Sequence, residues 1–383
     1  MTTTTATRAA RPRLIRTLNE QLLLERMRGN GPVSRAELAS VSGLSKPTVA
    51  LTLTNLERDE LVQQAGRRVG GRGRSASLYE IRSDAGFVLG LDVGREFVRG
   101  AVADLGGAVR ARRSQAARSS SGAARVRELG GLAHELLEEA GVDGGGLLHA
   151  VVGSPGIVEP DGRALRLAPN LPGWERPAVL RDLRRLLGEA TTIENDVDAA
   201  AVAERDHGHG RDVSTFAFVS VGTGIGMGLV LNGELHRGAH GAAGEIAFLP
   251  LDDDSLESAA SAAAVVAAAR QTGSLLRSAR AVFAAAEAGD RNAREVVAAE
   301  AAIVARALVS IVAVVDPELI VLGGGIGRAP GFAETVHARL AELSPIVPEV
   351  RPSALGEDAV VDGCLAVGGD RLWNRILSSR STA

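Results

Sequence analysis

The sequence has one cysteine and one lysine. The shortage of cysteine excludes two kinds of site, and the shortage of lysine leaves the positive charge to arginine. Cys364 is the single cysteine in 383 residues, which excludes an internal disulfide framework and a thiolate-rich zinc site within one chain. We expect Cys364 to be a small buried apolar residue. Lys46 is the single lysine, so arginine carries almost all of the positive charge.

Long uncharged apolar helices are not indicated either. No stretch resembles an uncharged apolar span of about 18 residues, and the N-terminus is rich in Thr and then Arg, without the apolar region of a signal peptide. We therefore expect a cytoplasmic protein with no membrane partner. The 45% hydrophobic and 23% charged content is typical of a globular chain, and its length suffices for two or three domains.

Charge is divided unevenly along the chain. Through Arg82 there are 14 Arg and Lys against 7 Asp and Glu, a balance of +7, whereas the remainder has 29 against 39, a balance of −10. A basic segment on an acidic body indicates that the segment meets a polyanion.

The basic segment has the pattern of three helices. Apolar residues recur at helical spacing over residues 14–27. Ser34 and Glu37 form a capping box for a second helix, which Gly43 ends. A third helix follows Ser45, and its predicted buried stripe is Val49, Leu53 and Leu56. This order predicts a helix-turn-helix.

Burying that stripe leaves short polar and basic side chains on the outer face of the third helix, where they can reach a DNA major groove. Strands at 61–62 and 77–81 would form a wing, and its tip would carry Arg67, Arg68, Arg72 and Arg74. The candidate DNA-binding residues are Arg35, Ser45, Lys46, Thr48, Thr52, Asn55, Arg72 and Arg74. A small helical protein-interaction domain with a solvated arginine loop is the alternative.

After residues 83–86, interpreted as a linker, the pattern changes to strands and helices of an α/β architecture. In the first half we predict strands at 87–93, 97–103, 108–113 and 147–152, with a helix at 126–139. The second half begins at Phe216, with strands around a glycine loop, helices at 256–270 and 294–315, and a strand at 319–322. Two similar halves predict a ligand cleft between them.

The ordered motifs of the body resemble the ROK family (repressors, open reading frames, kinases), and the whole chain resembles that family's transcriptional regulators. The motifs are GSPGIV at 153–158, NLPGW at 170–174, ENDVDAAA at 194–201, GTGIG at 222–226, GAHGAAGEI at 238–246 and LGGG at 322–325. The resemblance implies a winged helix-turn-helix domain (1–82), a linker (83–86) and a two-lobed α/β sugar-binding body (87–383) of the actin/hexokinase-like, ribonuclease H-like fold.

The resemblance also implies a sugar site. In sugar kinases of the family an Asn-Asp pair binds the sugar, and its Asp is the general base; the matching residues are Asn195 and Asp196. The implied sugar-binding residues are Asn170, Asn195, Asp196, Glu245 and Glu257. For the Asn-Asp pair the alternative is a helix cap after a strand at 191–193.

The implied ATP site departs from the kinase pattern. The first phosphate loop of the kinases reads Asp-x-Gly-Gly-Thr, whereas this chain reads DVGRE at 92–96. Arg95 replaces a glycine, and Glu96 would place a carboxylate beside the γ-phosphate. We expect no ATP binding and no useful turnover, although Gly222, Thr223, Gly224 and Gly324 match the remaining phosphate-loop positions.

The family's zinc motif is also missing. Phe248 stands at the position of a zinc-binding His, and Ser255 replaces the last cysteine of a three-cysteine cluster. We therefore expect no metal and no cofactor. Phe248 is expected to pack where the metal would organise the loop.

The resemblance implies a sugar-responsive regulator, a repressor, that binds a double-stranded DNA operator as a homodimer or dimer of dimers. Because the first phosphate loop departs from the kinase pattern, we expect no catalysis. Two alternatives stay open: a sugar kinase of the family that phosphorylates a hexose with ATP, and a constitutive DNA binder with a vestigial sugar site. ADP production would indicate the first alternative, and a sugar screen without any rise in melting temperature the second.

Overall fold

A computed structural model describes residues 6–28, 30–69, 75–142, 148–168, 171–251 and 254–382. Residues 6–81 form an N-terminal unit that we call the head. Its elements are α1 (Ala6–Met27), β1 (Val33–Ser34), α2 (Arg35–Ser42), α3 (Lys46–Arg58), β2 (Val62–Val69) and β3 (Ser75–Ile81). The predicted helices are present, and the hairpin strands are longer than predicted, with β1 added beside β3.

Local side-chain bonds fix the helix ends of the head where the sequence predicted them. The Ser34 Oγ accepts a hydrogen bond from the Glu37 amide (3.2 Å), and the Glu37 carboxylate accepts one from the Ser34 amide (2.7 Å). Gly43 ends α2 with a left-handed φ of 71°. Ser45 then caps α3 by accepting from the Thr48 amide, so a tight turn separates α2 and α3.

The first lobe of the body follows a short 3₁₀ helix at Ser83–Ala85. Its elements are β4 (Phe87–Val93), β5 (Phe97–Asp104), β6 (Val109–Ala116), α4 (Gly122–Glu139), β7 (Leu148–Ser154), β8 (Ile157–Val158), β9 (Leu165–Arg166), α5 (Pro177–Leu187), β10 (Thr192–Asn195) and α6 (Asp196–His207). The predicted strands and helix of this half all occur within one or two residues of the predicted bounds, except that α4 begins four residues earlier and β6 ends three residues later.

The second lobe is built from strands, small 3₁₀ turns and apolar helices. Its elements up to the long helix are β11 (Phe216–Val221), β12 (Ile225–Leu231), β13 (Glu234–Leu235), β14 (Pro250–Leu251), β15 (Asp254–Ser255), α7 (Leu256–Ala259), α8 (Ala262–Gln271), α9 (Ala279–Glu287) and α10 (Arg291–Val315). After it come β16 (Leu319–Gly323), α11 (Gly324–Gly327), α12 (Phe332–Leu343), β17 (Glu349–Pro352) and α13 (Ala359–Thr382). The single helix predicted at 256–270 is wrong: it divides into α7 and α8, because Ser261 caps a new helix start.

The two lobes repeat one sheet pattern. Within the described residues each has a five-stranded mixed sheet, in the order β10-β7-β4-β5-β6 in the first lobe and β13-β12-β11-β16-β17 in the second. In both, the first strand of the lobe is parallel to one neighbour and antiparallel to the other. This repeat confirms the prediction of two similar halves, and it brings glycine turns from both sheets to the gap between the lobes.

The C-terminal helix α13 connects the body to the head. Its first half crosses α6 so closely that a Cβ added to Gly363 would lie 1.7 Å from the carbonyl oxygen of Ala199. Its second half enters the head, where Leu372 and Trp373 belong to one buried cluster with Leu23. Head and body therefore share a core, and α13 contacts both the cleft-bearing body and the head.

Residues 83–86 are packed against their surroundings. The Ser83 carbonyl accepts from the Leu105 amide (3.0 Å), and the Arg82 amide donates to the Leu61 carbonyl (2.9 Å). These bonds fix the direction in which the chain leaves the head.

Helix α10 is long and apolar enough, by length and composition, to cross a membrane, and half of its most apolar window is buried inside the protein. Val304 and Leu308 on this helix lie in the core of the second lobe. Core helices of globular proteins pass the same test, so the finding is weak evidence for a membrane span.

Candidate functional site

A cleft of about 340 Å³ lies between the two lobes and is lined by residues of both. From the first lobe come Asn195 and Asp196, and from the second come Thr223, Glu245 and Glu257. The structure thus brings together four of the five predicted sugar-binding residues. Asn170, the fifth, lies outside the described residues.

Asn195 and Asp196 stand at the start of α6. The Asn195 Oδ1 accepts hydrogen bonds from the amides of Val197 (2.8 Å) and Asp198 (2.9 Å), so Asn195 is the helix cap. Its Nδ2 donates to the Gly156 carbonyl (3.0 Å). The Asn195 Oδ1 is therefore used by the helix cap, while its Nδ2 has a second N–H to offer a ligand. The Asp196 Oδ1 accepts from the Val197 amide (2.9 Å), which leaves its other carboxylate oxygen for a ligand.

Asp196 lies in a cluster of acidic groups. Burial, together with the negative charge of Asp92 and to a smaller extent Glu245, raises the pKa of Asp196 to about 7. Burial also raises the pKa of Asp92 to about 6, against the opposing effect of Arg99, whose Nη1 lies 3.4 Å from the Asp92 carboxylate. Near neutral pH the Asp196 carboxyl is divided between its protonated and ionised forms, so it can donate to or accept from a hydroxyl.

Glu245 and Glu257 approach the cleft from the second lobe. Gly244 precedes Glu245 and has a left-handed φ of 89°. A Cβ added to Gly244 would lie 2.0 Å from the Met227 carbonyl oxygen, so a glycine is needed for the chain to turn Glu245 towards the cleft. The Glu257 carboxylate accepts from the Ile225 amide (3.0 Å). Burial and then the charge of Glu257 raise the pKa of Glu245. These two carboxyls and Asp196 give the cleft a set of acceptors suited to sugar hydroxyls.

The two glycine loops of the second lobe meet beside the cleft. The Gly222 amide donates to the Gly224 carbonyl (2.9 Å), which closes the first loop, and Thr223 and Gly224 line the cleft. Gly324 has φ of 76°, and a Cβ there would lie 2.3 Å from the Val221 carbonyl oxygen, so the second loop needs a glycine to pack against the first. Gly324 itself is not among the residues that line the cleft.

The first-lobe loop after β4 carries Arg95 and Glu96. Buried Arg125 holds this loop from behind by donating to the Gly94 and Ser119 carbonyls. Gly94 and Arg95 line the cleft, whereas Glu96 is exposed and is not among the lining residues. Arginine is thus the residue that this loop presents to the cleft.

Phe248 is 56% exposed and lines the cleft. The expectation that it packs into the loop is therefore wrong, because the 3₁₀ helix Ile246–Phe248 buries Ile246 instead and leaves the phenyl ring free. Within the described residues, no group of three or more His, Cys, Asp or Glu side chains is placed to hold a metal ion.

In the head, two of the candidate DNA-binding residues are buried. Thr52 and Asn55 are only 4% and 9% exposed, because α3 is covered by α1, α2 and β2 over a wider arc than its apolar stripe. The prediction that they face outward is wrong. The residues that the fold leaves exposed along α3 are Lys46, Pro47, Leu51, Thr54 and Arg58. A helical wheel drawn from Pro47 would have found Leu51, Thr54 and Arg58, which follow it at spacings of four, three and four residues.

The other candidates in the head have mixed surroundings. Ser45 and Lys46 are exposed, and Thr48 is half-buried beside the Ser45 hydroxyl (2.8 Å). Arg35 is exposed but stacks on the buried Tyr79 ring, 5.0 Å from its centre. Arg72 and Arg74 lie outside the described residues. Of the other two wing arginines, Arg68 pairs with Glu37 (2.6 Å) and Arg67 is exposed.

Trp174 and Cys364 belong to the core. Trp174 is fully buried, and its indole donates to the Ser154 hydroxyl (2.8 Å), so it packs the loop and offers no stacking surface. Cys364 is buried in α13, as expected, and burial raises the pKa of its thiol.

Comparisons with known proteins agree on one family. The model of the ROK family matches residues 88–368. The xylose repressor of Bacillus subtilis is 24% identical over 238 residues, 62% of each chain, so this chain spans about three fifths of that relative's length. A crystal structure of a ROK family transcriptional regulator, homologue of the E. coli MLC protein, superposes with a TM-score of 0.76 at 22% identity, covering 96% of this chain and 99% of that one. The ROK hexokinase of Thermus thermophilus gives 0.63 at 28% identity, covering 75% and 99%.

Proposed function

This chain belongs to the ROK family, and from that premise we propose that it is a sugar-responsive transcriptional repressor whose head is a winged helix-turn-helix. The observation that carries the proposal is the connection of two parts in one fold: a body with a cleft lined by carboxyl groups, and a basic three-helix head, with helix α13 packed against both. A sugar in the cleft would act as effector, and operator DNA would bind the head.

The cleft supports the sugar half of the proposal. Asp196, Glu245 and Glu257 supply carboxyl groups from both lobes, so a bound polyol would bridge the lobes and favour a closed arrangement. Asn195 has two roles in this proposal: its Oδ1 caps α6, and its Nδ2, which donates one N–H to the Gly156 carbonyl, has a second N–H for a sugar hydroxyl.

The head supports the DNA half. Lys46 and Arg58 lie near opposite ends of the exposed face of α3, where they can meet phosphates on either side of a major groove. The charge balance of +7 through Arg82 favours a polyanionic partner. Helix-turn-helix proteins read paired half-sites, so we propose that the protein acts as a homodimer or dimer of dimers in the cytoplasm.

Two packed helices, α6 and α13, connect the cleft to the head. Asp196 is the first residue of α6, and α6 packs along α13 down to the Ala199–Gly363 contact. Further along α13, Asp370 in the middle of the helix pairs with Arg28 of the head (2.6 Å), and the Leu377 carbonyl accepts from Gln21. A shift of α6 on sugar binding would thus move the head, and operator affinity would change by the difference in sugar affinity between the two arrangements.

Sugar kinase activity is the second candidate, and the pKa of Asp196 favours it, since a base that titrates near pH 7 suits proton abstraction from a hydroxyl. Against it, Arg95 occupies the phosphate loop and Arg99 pairs with Asp92. We propose that no ATP, metal or other cofactor is used. ADP release from ATP across a hexose panel, absent in Asp196→Asn, would support the kinase instead.

The proposed function is tested by a gel shift on the DNA upstream of the protein's own coding region, repeated with D-xylose, D-glucose and other free sugars. We expect binding without sugar and release by at least one sugar. Asp196→Asn, which keeps the shape of the side chain, should bind the DNA normally and lose the release. Equal release of the variant would remove Asp196 from the effector site.

A further inference from the structure

Two exposed apolar side chains face the cleft from its opposite lobes. Leu167, just after β9 in the first lobe, is 50% exposed, and Phe248 in the second lobe is 56% exposed. Single exposed apolar side chains are common on protein surfaces, but two that line one cleft from both lobes give a ligand an apolar surface to contact.

The backbone of Leu167 is held in an unfavourable conformation. Its φ is 55°, in the left-handed region that a leucine adopts at a cost of about 1–2 kcal/mol. The turn at Gly156 fixes it: a Cβ there would lie 2.5 Å from the Arg166 carbonyl oxygen and 3.1 Å from the Leu167 carbonyl carbon. The carbonyl of Gly156 also accepts a hydrogen bond from the side-chain amide of Asn195. Strain maintained by neighbouring structure in a cleft is typical of a binding position.

Phe248 lies three residues after Glu245, across one turn of 3₁₀ helix. A carboxyl group and a phenyl ring on one short helix therefore face the same cleft. The carboxyl can accept from a sugar hydroxyl while the ring covers an adjoining apolar group, because aromatic faces stack well on flat apolar surfaces.

The polar part of the cleft does not suit an anion. Asp196, Glu245 and Glu257 line it, with Asp92 buried close enough to influence Asp196. Among the described lining residues, Arg95 is the one that carries a positive charge. A phosphorylated or carboxylated sugar would meet this acidic set at close range, where like charges repel strongly.

We propose that the effector is an uncharged sugar derivative with an apolar substituent, such as an aryl or alkyl glycoside. Its hydroxyls form hydrogen bonds with the carboxyl groups of the cleft, and its apolar substituent packs between Leu167 and Phe248. This inference rests on the proposed function, since it names the ligand class of the same site.

Calorimetric titration of the full chain tests the proposal with matched ligand pairs: D-glucose with phenyl β-D-glucopyranoside, D-xylose with phenyl β-D-xylopyranoside, and glucose 6-phosphate as the charged member. In at least one pair the phenyl glycoside should bind about tenfold tighter than the free sugar, a gain typical of burying an apolar group in a fitted pocket. Glucose 6-phosphate should bind more weakly than glucose.

Variants assign the preference to the two side chains. Phe248→Ala and Leu167→Ala should each reduce the ratio of phenyl-glycoside affinity to free-sugar affinity several-fold. Leu275→Ala is the matched control, because Leu275 is 93% exposed and does not line the cleft. Phe248→Leu should keep part of the preference, and circular dichroism checks that every variant is folded.

Three results would overturn the inference. Free sugars that bind as tightly as their phenyl glycosides would refute the ligand class and leave the sugar-responsive function standing. A preference that survives Phe248→Ala and Leu167→Ala would place the substituent elsewhere. If neither member of any pair binds while the protein still shifts DNA, the effector function fails together with the inference.

Discussion

Gly363 of α13 and Ala199 of α6 touch backbone to backbone: a Cβ on Gly363 would lie 1.7 Å from the Ala199 carbonyl oxygen. Helix pairs approach this closely only where one side chain is missing. The contact joins the helix that begins at Asp196 in the cleft to the helix that ends in the core of the head. We propose that a change in the cleft is passed to the head at this contact.

Gly363→Ala should force α6 and α13 apart and destabilise the protein by about 1–3 kcal/mol, the range for overpacked sites. Gly369→Ala is the control in the same helix, since an added Cβ there meets nothing within 4 Å. It should be neutral or stabilise by up to about 1 kcal/mol, because alanine favours helix over glycine. Urea denaturation measures both, and equal stability of the two variants would contradict the close contact.

Asp196→Asn should alter stability in a pH-dependent way. The pKa of Asp196 is raised from 3.8 to about 7, so the folded state holds a proton that the unfolded chain releases, and stability falls as pH rises through this window. The variant lacks that loss. It should match wild type near pH 4 and exceed it by pH 8 in urea denaturation. The same difference at both pH values would show that the carboxyl is not desolvated near Asp92 and Glu245.

Two neighbouring leucines of α3 should behave in opposite ways. Leu53 is fully buried, and Leu53→Ala should cost about 2–5 kcal/mol of folding stability. Leu51 is 66% exposed, so Leu51→Ala should change stability by no more than about 0.5 kcal/mol and weaken operator binding. Thermal denaturation and gel shifts measure the two effects. A large stability loss in Leu51→Ala would mean that the exposed face of α3 is covered.

Lys46→Ala and Arg58→Ala should weaken operator binding and lower the slope of log affinity against log salt concentration by about 1 each, as expected for one lost phosphate contact. Arg291→Ala removes an exposed arginine from the body and serves as the control. Unchanged salt slopes in both head variants would place the DNA contact on another surface.

Local sequence signals predicted a large part of this fold. The capping box of Ser34 and Glu37 and the glycine at position 43 define α2 by short-range bonds, and the sequence shows both. The apolar runs of the first lobe gave the bounds of β4, β5 and β7 to within two residues in the same way, whereas the edge strand β17 of the second lobe was not predicted. These features depend on neighbours in the chain, so periodicity and capping rules find them.

Features that depend on distant contacts were harder to predict. Thr52 and Asn55 are polar, but their burial depends on how α1, α2 and β2 pack around α3. The exposure of Phe248 depends on Ile246 filling the core in its place. The entry of Trp373 into the core of the head joins residues from the two ends of the chain, and no local pattern indicates it.

The central claim is that the cleft and the DNA-binding face are energetically coupled. Thermodynamic linkage requires that a sugar which weakens operator binding by some factor is itself bound more weakly, by the same factor, when operator is present. The direct measurement is the sugar Kd of the full chain by titration calorimetry, with and without saturating operator DNA. The account predicts a sugar Kd raised at least fivefold on DNA and matched by the fall in operator affinity in sugar. An identical sugar Kd in both states would contradict it.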